Sequence, residues 1–309
     1  MATAGFITFH PHGSTDTQVR GINDSGVIAG YYYKGNTASH GFLRAGDGTI
    51  TSFDPSGARF TYGAGINNKG AVAGSYLDGN GQFAFVRSAG GKITTFDALG
   101  TGSTDPSSIN DKGAIAGFCE DASGVTHGFV RAADGTVATF DPSGSTNTEP
   151  VAINSAGTVA GWYFGSVYDA HGFVRTADGT ITAFDVPDSI ATQVASLNDK
   201  GDITGAYYDV NGRQHGYLRA ADGTITSFDG PGSSAATPAG INDRDVIAGT
   251  YYDQNGTLHG FVRAPNGTIR TFDPPHSVYT QVIGINDSRA IAGFFSNAAY
   301  RSKGYLRSK

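Results

Sequence analysis

Carboxylates carry the most versatile chemistry in this chain. Asp105, Glu120 and Glu149 stand where equivalent repeat positions hold other residue types. Neighbouring carboxylates can share a proton, act as general acid and base, or hold a cation. A divalent cation beside Asp105 and Glu149 is therefore the one candidate cofactor. Five histidines, His40, His127, His171, His215 and His259, add imidazoles, but no second His lies near any of them in sequence. A metal site needs convergent ligands, so no metal ligands are assigned. Each of these His is expected to bond within its own repeat, to Asp54, Asp141, Asp185, Asp229 or Asp273. In the last repeat Lys303 replaces the His and His10 replaces the Asp, so both partners change together. Asp78-Gly79-Asn80-Gly81, Asp209-Val210-Asn211-Gly212 and Asp253-Gln254-Asn255-Gly256 faintly resemble calcium loops. None carries the distal Glu of an EF-hand, and turn chemistry explains them better. No nucleophile elbow, phosphate loop or dinucleotide fingerprint is visible.

Those residues sit on a repeat. Ile-Asn or Leu-Asn recurs at Ile22, Ile66, Ile109, Ile153, Leu197, Ile241 and Ile285, at spacings of 43 or 44 residues. A fixed period of this size marks a repeat architecture. Within one unit, Thr17–Ile22 reads as an extended run and Asn23-Asp24-Ser25-Gly26 as a turn. Val27–Tyr33 is rich in β-formers, and His40–Arg44 follows a polar loop. Asp47-Gly48 signals a hairpin before the alternating strand Thr49–Phe53. Four short strands repeated seven times predict an all-β, seven-bladed β-propeller of four-stranded antiparallel blades, one domain over residues 1–309. The chain opens on Gly5–His10, which matches a fourth strand, and closes on Lys303–Arg307, which matches a third. The N-terminal strand is thus expected to join the C-terminal blade and remove two sheet edges.

A triplet recurs in the third strand: His40-Gly41-Phe42, Phe83-Ala84-Phe85, His127-Gly128-Phe129, His171-Gly172-Phe173, His215-Gly216-Tyr217 and His259-Gly260-Phe261. With Ile-Asn-Asp-x-Gly and Asp-Gly-Thr-x-Thr-x-Phe-Asp strings, it resembles the bacterial HAF-type extracellular repeat family along essentially the whole chain. The resemblance implies a bacterial, exported protein, extracellular or periplasmic. It brings no established activity.

Composition narrows the partners. The formal net charge is −6 and charged residues make up 16%. A nucleic-acid groove needs a basic face, so nucleic acid is excluded as a partner. The single Cys119 excludes an internal disulfide framework and a multi-cysteine zinc site. No stretch approaches the roughly 18 apolar residues that span a bilayer, so no membrane insertion is expected. The start lacks a basic segment and apolar run. A leader would have to lie outside this sequence, or the location is cytoplasmic. A monomer is expected.

Function is sought where the repeats differ. Each third strand ends in Arg: Arg44, Arg87, Arg131, Arg175, Arg219, Arg263 and Arg307. Seven at one position read as scaffold, tied to turns through Asp24, Asp111, Asp199, Asp243 or Asp287. The connections between strands 1–2 and 3–4 are short and nearly constant. Those between strands 2–3 and 4–1 are longer and variable, and lie together on the other face. On that face Gln18, Tyr62, Asp105, Glu149, Gln193, Thr237 and Gln281 should form a polar ring at the channel mouth. The second strands end in an aromatic stripe that includes Tyr33, Trp162, Tyr208 and Tyr252, suited to sugar or apolar contact. Glu120 breaks that stripe. Arg20 replaces small or apolar residues, and His12, Arg59, His276 and Tyr279 decorate the strand 4–1 connections. The favoured reading is a propeller that binds a glycan or other small molecule. Its candidate contacts are Gln18, Arg20, Tyr33, Tyr62, Trp162, Gln193, Tyr208, Tyr252, His276 and Gln281. The alternative is a single-site hydrolase, lyase or isomerase using Asp105, Glu149 and Glu120. A scaffold without a small ligand is the third.

Overall fold

A computed structural model describes residues 5–35, 37–165, 169–232, 235–298 and 301–308. Among them the fold is all-β, with 28 strands in chain order. Strand β1 is Phe6–Phe9. Unit 1 holds β2–β5 (Asp16–Ile22, Ile28–Tyr33, Ser39–Arg44, Ile50–Phe53). Unit 2 holds β6–β9 (Phe60–Ile66, Val72–Leu77, Gln82–Arg87, Ile93–Phe96). Unit 3 holds β10–β13 (Thr104–Ile109, Ile115–Glu120, Thr126–Arg131, Val137–Phe140). Unit 4 holds β14–β17 (Asn147–Ile153, Val159–Phe164, Ala170–Arg175, Ile181–Phe184). Unit 5 holds β18–β21 (Ser189–Leu197, Ile203–Asp209, Gln214–Arg219, Ile225–Phe228). Unit 6 holds β22–β25 (Ala236–Ile241, Ile247–Tyr252, Leu258–Arg263, Ile269–Phe272). Unit 7 holds β26–β28 (Tyr279–Ile285, Ile291–Ser296, Ser302–Arg307). Each unit is an antiparallel meander, and a parallel bridge from Ser39 to Phe60 joins units 1 and 2. Strand β1 pairs antiparallel with β28, setting Phe9 opposite Gly304. No helix among the described residues is long and apolar enough to cross a membrane.

The repeated Asn explains how units are held side by side. Asn23 Nδ2 donates to the Asn67 carbonyl, Asn67 to Asn110, Asn110 to Asn154, and so on to Asn286. Asn286 then donates to the Asn23 carbonyl at 2.9 Å. Meanwhile Asn Oδ1 accepts the turn's own N–H, as from Val27 or Ala114. One amide therefore closes its own turn and grips the next unit. The Asp after it makes a second set of contacts. The N–H of Asp287 donates to Asp24 Oδ1 at 2.9 Å, and that of Asn68 to Asp111 Oδ1 at 2.7 Å.

The apolar core lies in layers between units. The third-strand aromatic is fully buried in every unit (Phe42, Phe85, Phe129, Phe173, Tyr217, Phe261 and Tyr305). It meets the outer-strand Phe of the preceding unit edge-on, as Phe42 meets Phe9 at 6.1 Å. The recurring Arg corrects one expectation. The guanidiniums do not reach Asp24, Asp111, Asp199, Asp243 or Asp287. Arg44 lies over the Phe9 ring at 5.1 Å, Arg87 over Phe53, and Arg307 over Phe272 at 4.6 Å. A flat, weakly hydrated guanidinium suits that half-buried aromatic slot, and the Asp side chains are occupied by neighbouring N–H groups.

Two tyrosines replace Phe in this layer. Tyr217 Oη donates to the Gln193 carbonyl at 3.2 Å, whereas among the described residues the fully buried Tyr305 Oη has no hydrogen-bond partner. A buried hydroxyl without a bond costs desolvation with no return. Tyr305→Phe should therefore stabilise the protein by about 1 kcal/mol, and Tyr217→Phe should cost about 0.5–1.5 kcal/mol. Urea unfolding of the two variants checks the opposite signs.

Candidate functional site

The first strand of every unit contains a bulge, which adds one residue and turns it toward the axis. The bulged residues are Arg20, Ala64, Ser107, Val151, Ala195, Ala239 and Ile283. All seven line one central channel. Arg20 is the charged residue in that set. Its Nη2 donates to Tyr31 Oη at 3.0 Å, and its guanidinium stands 5.3 Å from the Tyr31 ring centre.

Two residues earlier in each strand lies the predicted polar ring. Register sets Gln18 opposite Tyr31, Tyr62 opposite Ser75, Asp105 opposite Phe118 and Glu149 opposite Trp162. Cross-strand partners share a face, so each pair projects toward a neighbouring unit. At units 1 to 3 these faces enclose a cavity of about 340 Å³. Arg20, Tyr31, Tyr62, Ser75, Gln82, Asp105 and Phe118 supply its functional walls. Arg20, Ala64 and Ser107 line both this cavity and the channel, so the two are contiguous.

Asp105 is the electrostatic centre of the cavity. Burial raises its pKa above the usual carboxylate range, while Ser75 and Gln82 hydrogen bonding and the Arg20 charge pull the other way and only partly offset it. The folded chain thus holds the proton more tightly than the unfolded chain. Asp105 favours folding most below the ordinary carboxylate range, and that advantage is lost as pH rises through its raised pKa. Asp105→Asn should raise stability at pH 7 by on the order of 1 kcal/mol and lose that gain near pH 3. Thermal melts at the two pH values check this.

An aromatic ladder leads outward. Tyr31 and Tyr62 meet edge-on at 5.0 Å, Tyr62 stacks parallel to Phe60 at 6.4 Å, and Tyr33 stands edge-on to Tyr31 at 5.8 Å. Burial, with help from Tyr31 and Tyr62, pushes the Tyr33 phenol up to about 12. It remains a hydrogen-bond donor at any physiological pH.

The structure thus brings together Arg20, Tyr62 and Asp105, with Tyr33 beside them. The other candidates lie elsewhere. Glu149 is half-buried, and burial alone raises its pKa, with no contribution from Asp105. The two carboxylates do not form a proton-sharing pair, because Asp105 faces Ser75 and Gln82 of unit 2 instead of its counterpart in unit 4. Glu120 is exposed at the end of β11 and does not line the cavity. Trp162 stands edge-on to Phe164 at 5.2 Å within unit 4. Gln18 is held by Asp16, and Gln281 accepts from Tyr279 Oη and donates to the Val282 carbonyl. The Gln193 carbonyl serves Tyr217. Tyr208 Oη donates to Gln214, and Tyr252 is exposed. His276 adopts φ 65°, where equivalent turns have Gly57 or Gly144, and borders a separate outer hollow with Phe6 and Lys303. Ser75 and Gln82 carry no distinctive signal in the sequence. Ser75 faces Tyr62, while Gln82 corresponds to Ser39, Thr126 and Gln214, too mixed a column to flag either.

The recurring histidines and one acidic cluster are structural by geometry. His40 Nδ1 meets Asp54 at 2.7 Å, and Thr61 of the next unit donates to the same carboxylate at 2.6 Å. The order Thr–Asp–His leaves the hydroxyl bonded to the acid, so no nucleophile is activated. At the opposite mouth of the channel, Asp24, Asp111, Asp199, Asp243 and Asp287 form an acidic rim. Burial and the charges of Asp287, Asp199 and Asp24 raise the Asp243 pKa, against the Asp199 N–H bond. Among the described residues no group of three or more His, Cys, Asp or Glu converges to hold a metal ion.

Sheets of four strands around one channel define a β-propeller. The comparisons with solved structures agree. The chain is similar to a catalytically inactive variant of virginiamycin B lyase from Staphylococcus aureus, with a TM-score of 0.64 and 16% identity, covering 99% of this chain and 100% of that one. It is similar to the β-propeller domain of the Trilobed protease from Pyrococcus furiosus, with a TM-score of 0.68 and 8% identity over 94% and 95% of the chains. A third similar structure, TolB from Acinetobacter baumannii, gives 0.57 and 11% over 92% of this chain, which spans 64% of that one. No protein-family model matches, and no curated protein matches.

Proposed function

We propose that the chain is a closed seven-bladed propeller that binds one glycan or other small polar molecule in the cavity over blades 1 to 3. Closure rests on the β1–β28 pairing and the Asn286 to Asn23 bond. One observation carries the binding reading. Arg20, Asp105, Ser75 and Gln82 converge with three aromatic rings on a single cavity open to the channel. Sites of this kind pair apolar walls with a few placed polar groups. The protein works as an exported, monomeric binding module, in keeping with its HAF-type repeat strings.

A second reading, an enzyme, draws on the burial that holds Asp105 toward its protonated form, as a general acid requires. Among the described residues no second acid or base pairs with it, so binding is the stronger reading. Calorimetric titration against a panel of neutral and acidic oligosaccharides separates them. Binding should occur without turnover, and Asp105→Asn should weaken it about tenfold or more. Unchanged affinity in that variant would remove Asp105 from the site. Product formation that Asp105→Asn abolishes would favour the enzyme.

A further inference from the structure

Two guanidiniums bracket the aromatic ladder. Arg20 stands at its channel end, with one Nη on Tyr31. Arg59 stands at the outer end, over the Phe60 ring at 5.2 Å. Both are exposed, and among the described residues neither lies within ion-pair distance of a carboxylate, although the Arg20 charge is felt at Asp105. Arg20 keeps most of its donor fork free, since Tyr31 takes one nitrogen. Asp16, the carboxylate beside Tyr33, is already engaged by Gln18 Nε2 at 2.8 Å. Between the two cations lie Tyr31, Tyr62 and Phe60, at ring spacings of 5.0 and 6.4 Å. Flat rings flanked by free guanidiniums fit a chain of ring-shaped units that carry carboxylates. Arg forks bind carboxylates bidentately, and aromatic faces pack against the apolar faces of sugars. Asp105, with Ser75 and Gln82, adds hydroxyl-matching polar groups at the inner end. The whole molecule carries −6, so attraction of an anion must be local to this junction.

We propose that this site selects carboxylate-bearing sugars, and that an acidic oligosaccharide lies along the junction of blades 1 and 2, one uronate on Arg20 and another on Arg59. The inference rests on the binding reading above and adds its ligand class.

Calorimetry of the whole chain with trigalacturonate and with galactotriose tests it. The acidic trimer should bind about tenfold or more tightly than the neutral one, and added salt should weaken the acidic trimer alone. Arg20→Gln should erase most of that difference, weakening the acidic trimer about tenfold or more and galactotriose by a clearly smaller factor, while Arg20→Lys keeps part of the selectivity. Arg59→Gln should cost the acidic trimer a smaller factor. Arg20 and Arg59 are exposed, and thermal melts of each variant confirm that folding is retained. Equal affinity for the two trimers, unchanged by Arg20→Gln, overturns acid selectivity and leaves the binding reading standing. Binding of neither trimer overturns the acidic-sugar assignment. A different glycan whose binding is lost in Asp105→Asn would then still support the site itself.

Discussion

Phe9→Ala is expected to destabilise the protein by about 3–5 kcal/mol, as much as the loss of a central core aromatic. Residues near a chain end ordinarily fray and tolerate change. Phe9 differs because β1 completes the sheet begun by β26–β28. It is 7% exposed, packs in one cluster with Val19, Ile28, Tyr32, Phe42 and Ala292, and carries the Arg44 guanidinium on its face. That cluster joins blade 7 to blade 1. Truncation would leave a hole, strip Arg44 of its ring and loosen the seam. Ile7, on the same strand but 51% exposed, is the control, and Ile7→Ala should stay within about 0.5 kcal/mol. Urea unfolding measures both. A small effect at Phe9 would mean that the ring does not depend on its first strand.

Asn110→Ala should cost about 2–4 kcal/mol. Asn110 is 5% exposed, donates to the Asn154 carbonyl at 2.9 Å and accepts the N–H groups of Lys112 and Ala114. Alanine would take one donor from the Asn154 carbonyl, which keeps the Gly157 N–H, and would strip the Lys112 and Ala114 N–H groups of their acceptor, at about 1–3 kcal/mol apiece where water cannot reach them. Asp111, one residue on, is more exposed and accepts the Asn68 N–H at 2.7 Å. Water can replace it, so Asp111→Ala should cost only about 0.5–1 kcal/mol. Thermal melts would rank the two. The reverse order would place the inter-blade grip in the carboxylate rim instead of the amide ring.

Much of this architecture is legible without coordinates. The Ile-Asn period and the Asp-Gly hairpins mark four strands per unit, and the coupled change of Lys303 and His10 marks where the chain joins itself. The His–Asp bonds follow from the same comparison. Partners across blades are harder to read. Strand alternation tells which face a side chain takes, and not which residue of the neighbouring sheet it meets. The arginines therefore stack on Phe9, Phe53 and their equivalents, where charge counting points to Asp. For the same reason Asp105 meets Ser75 and Gln82, and Glu149 lies apart from it. Arg20 stood out because its column is otherwise small or apolar. The bulge that aims it into the channel has no signature in a single repeat.

Stoichiometry tests the account most directly. Arg20, Tyr62 and Asp105 come together in one cavity, so native mass spectrometry with the tightest-binding glycan of the panel should show one ligand per chain. That complex should vanish when Arg20→Gln and Asp105→Asn are combined. Several equivalent ligands per chain, or a single one indifferent to the double variant, would contradict it.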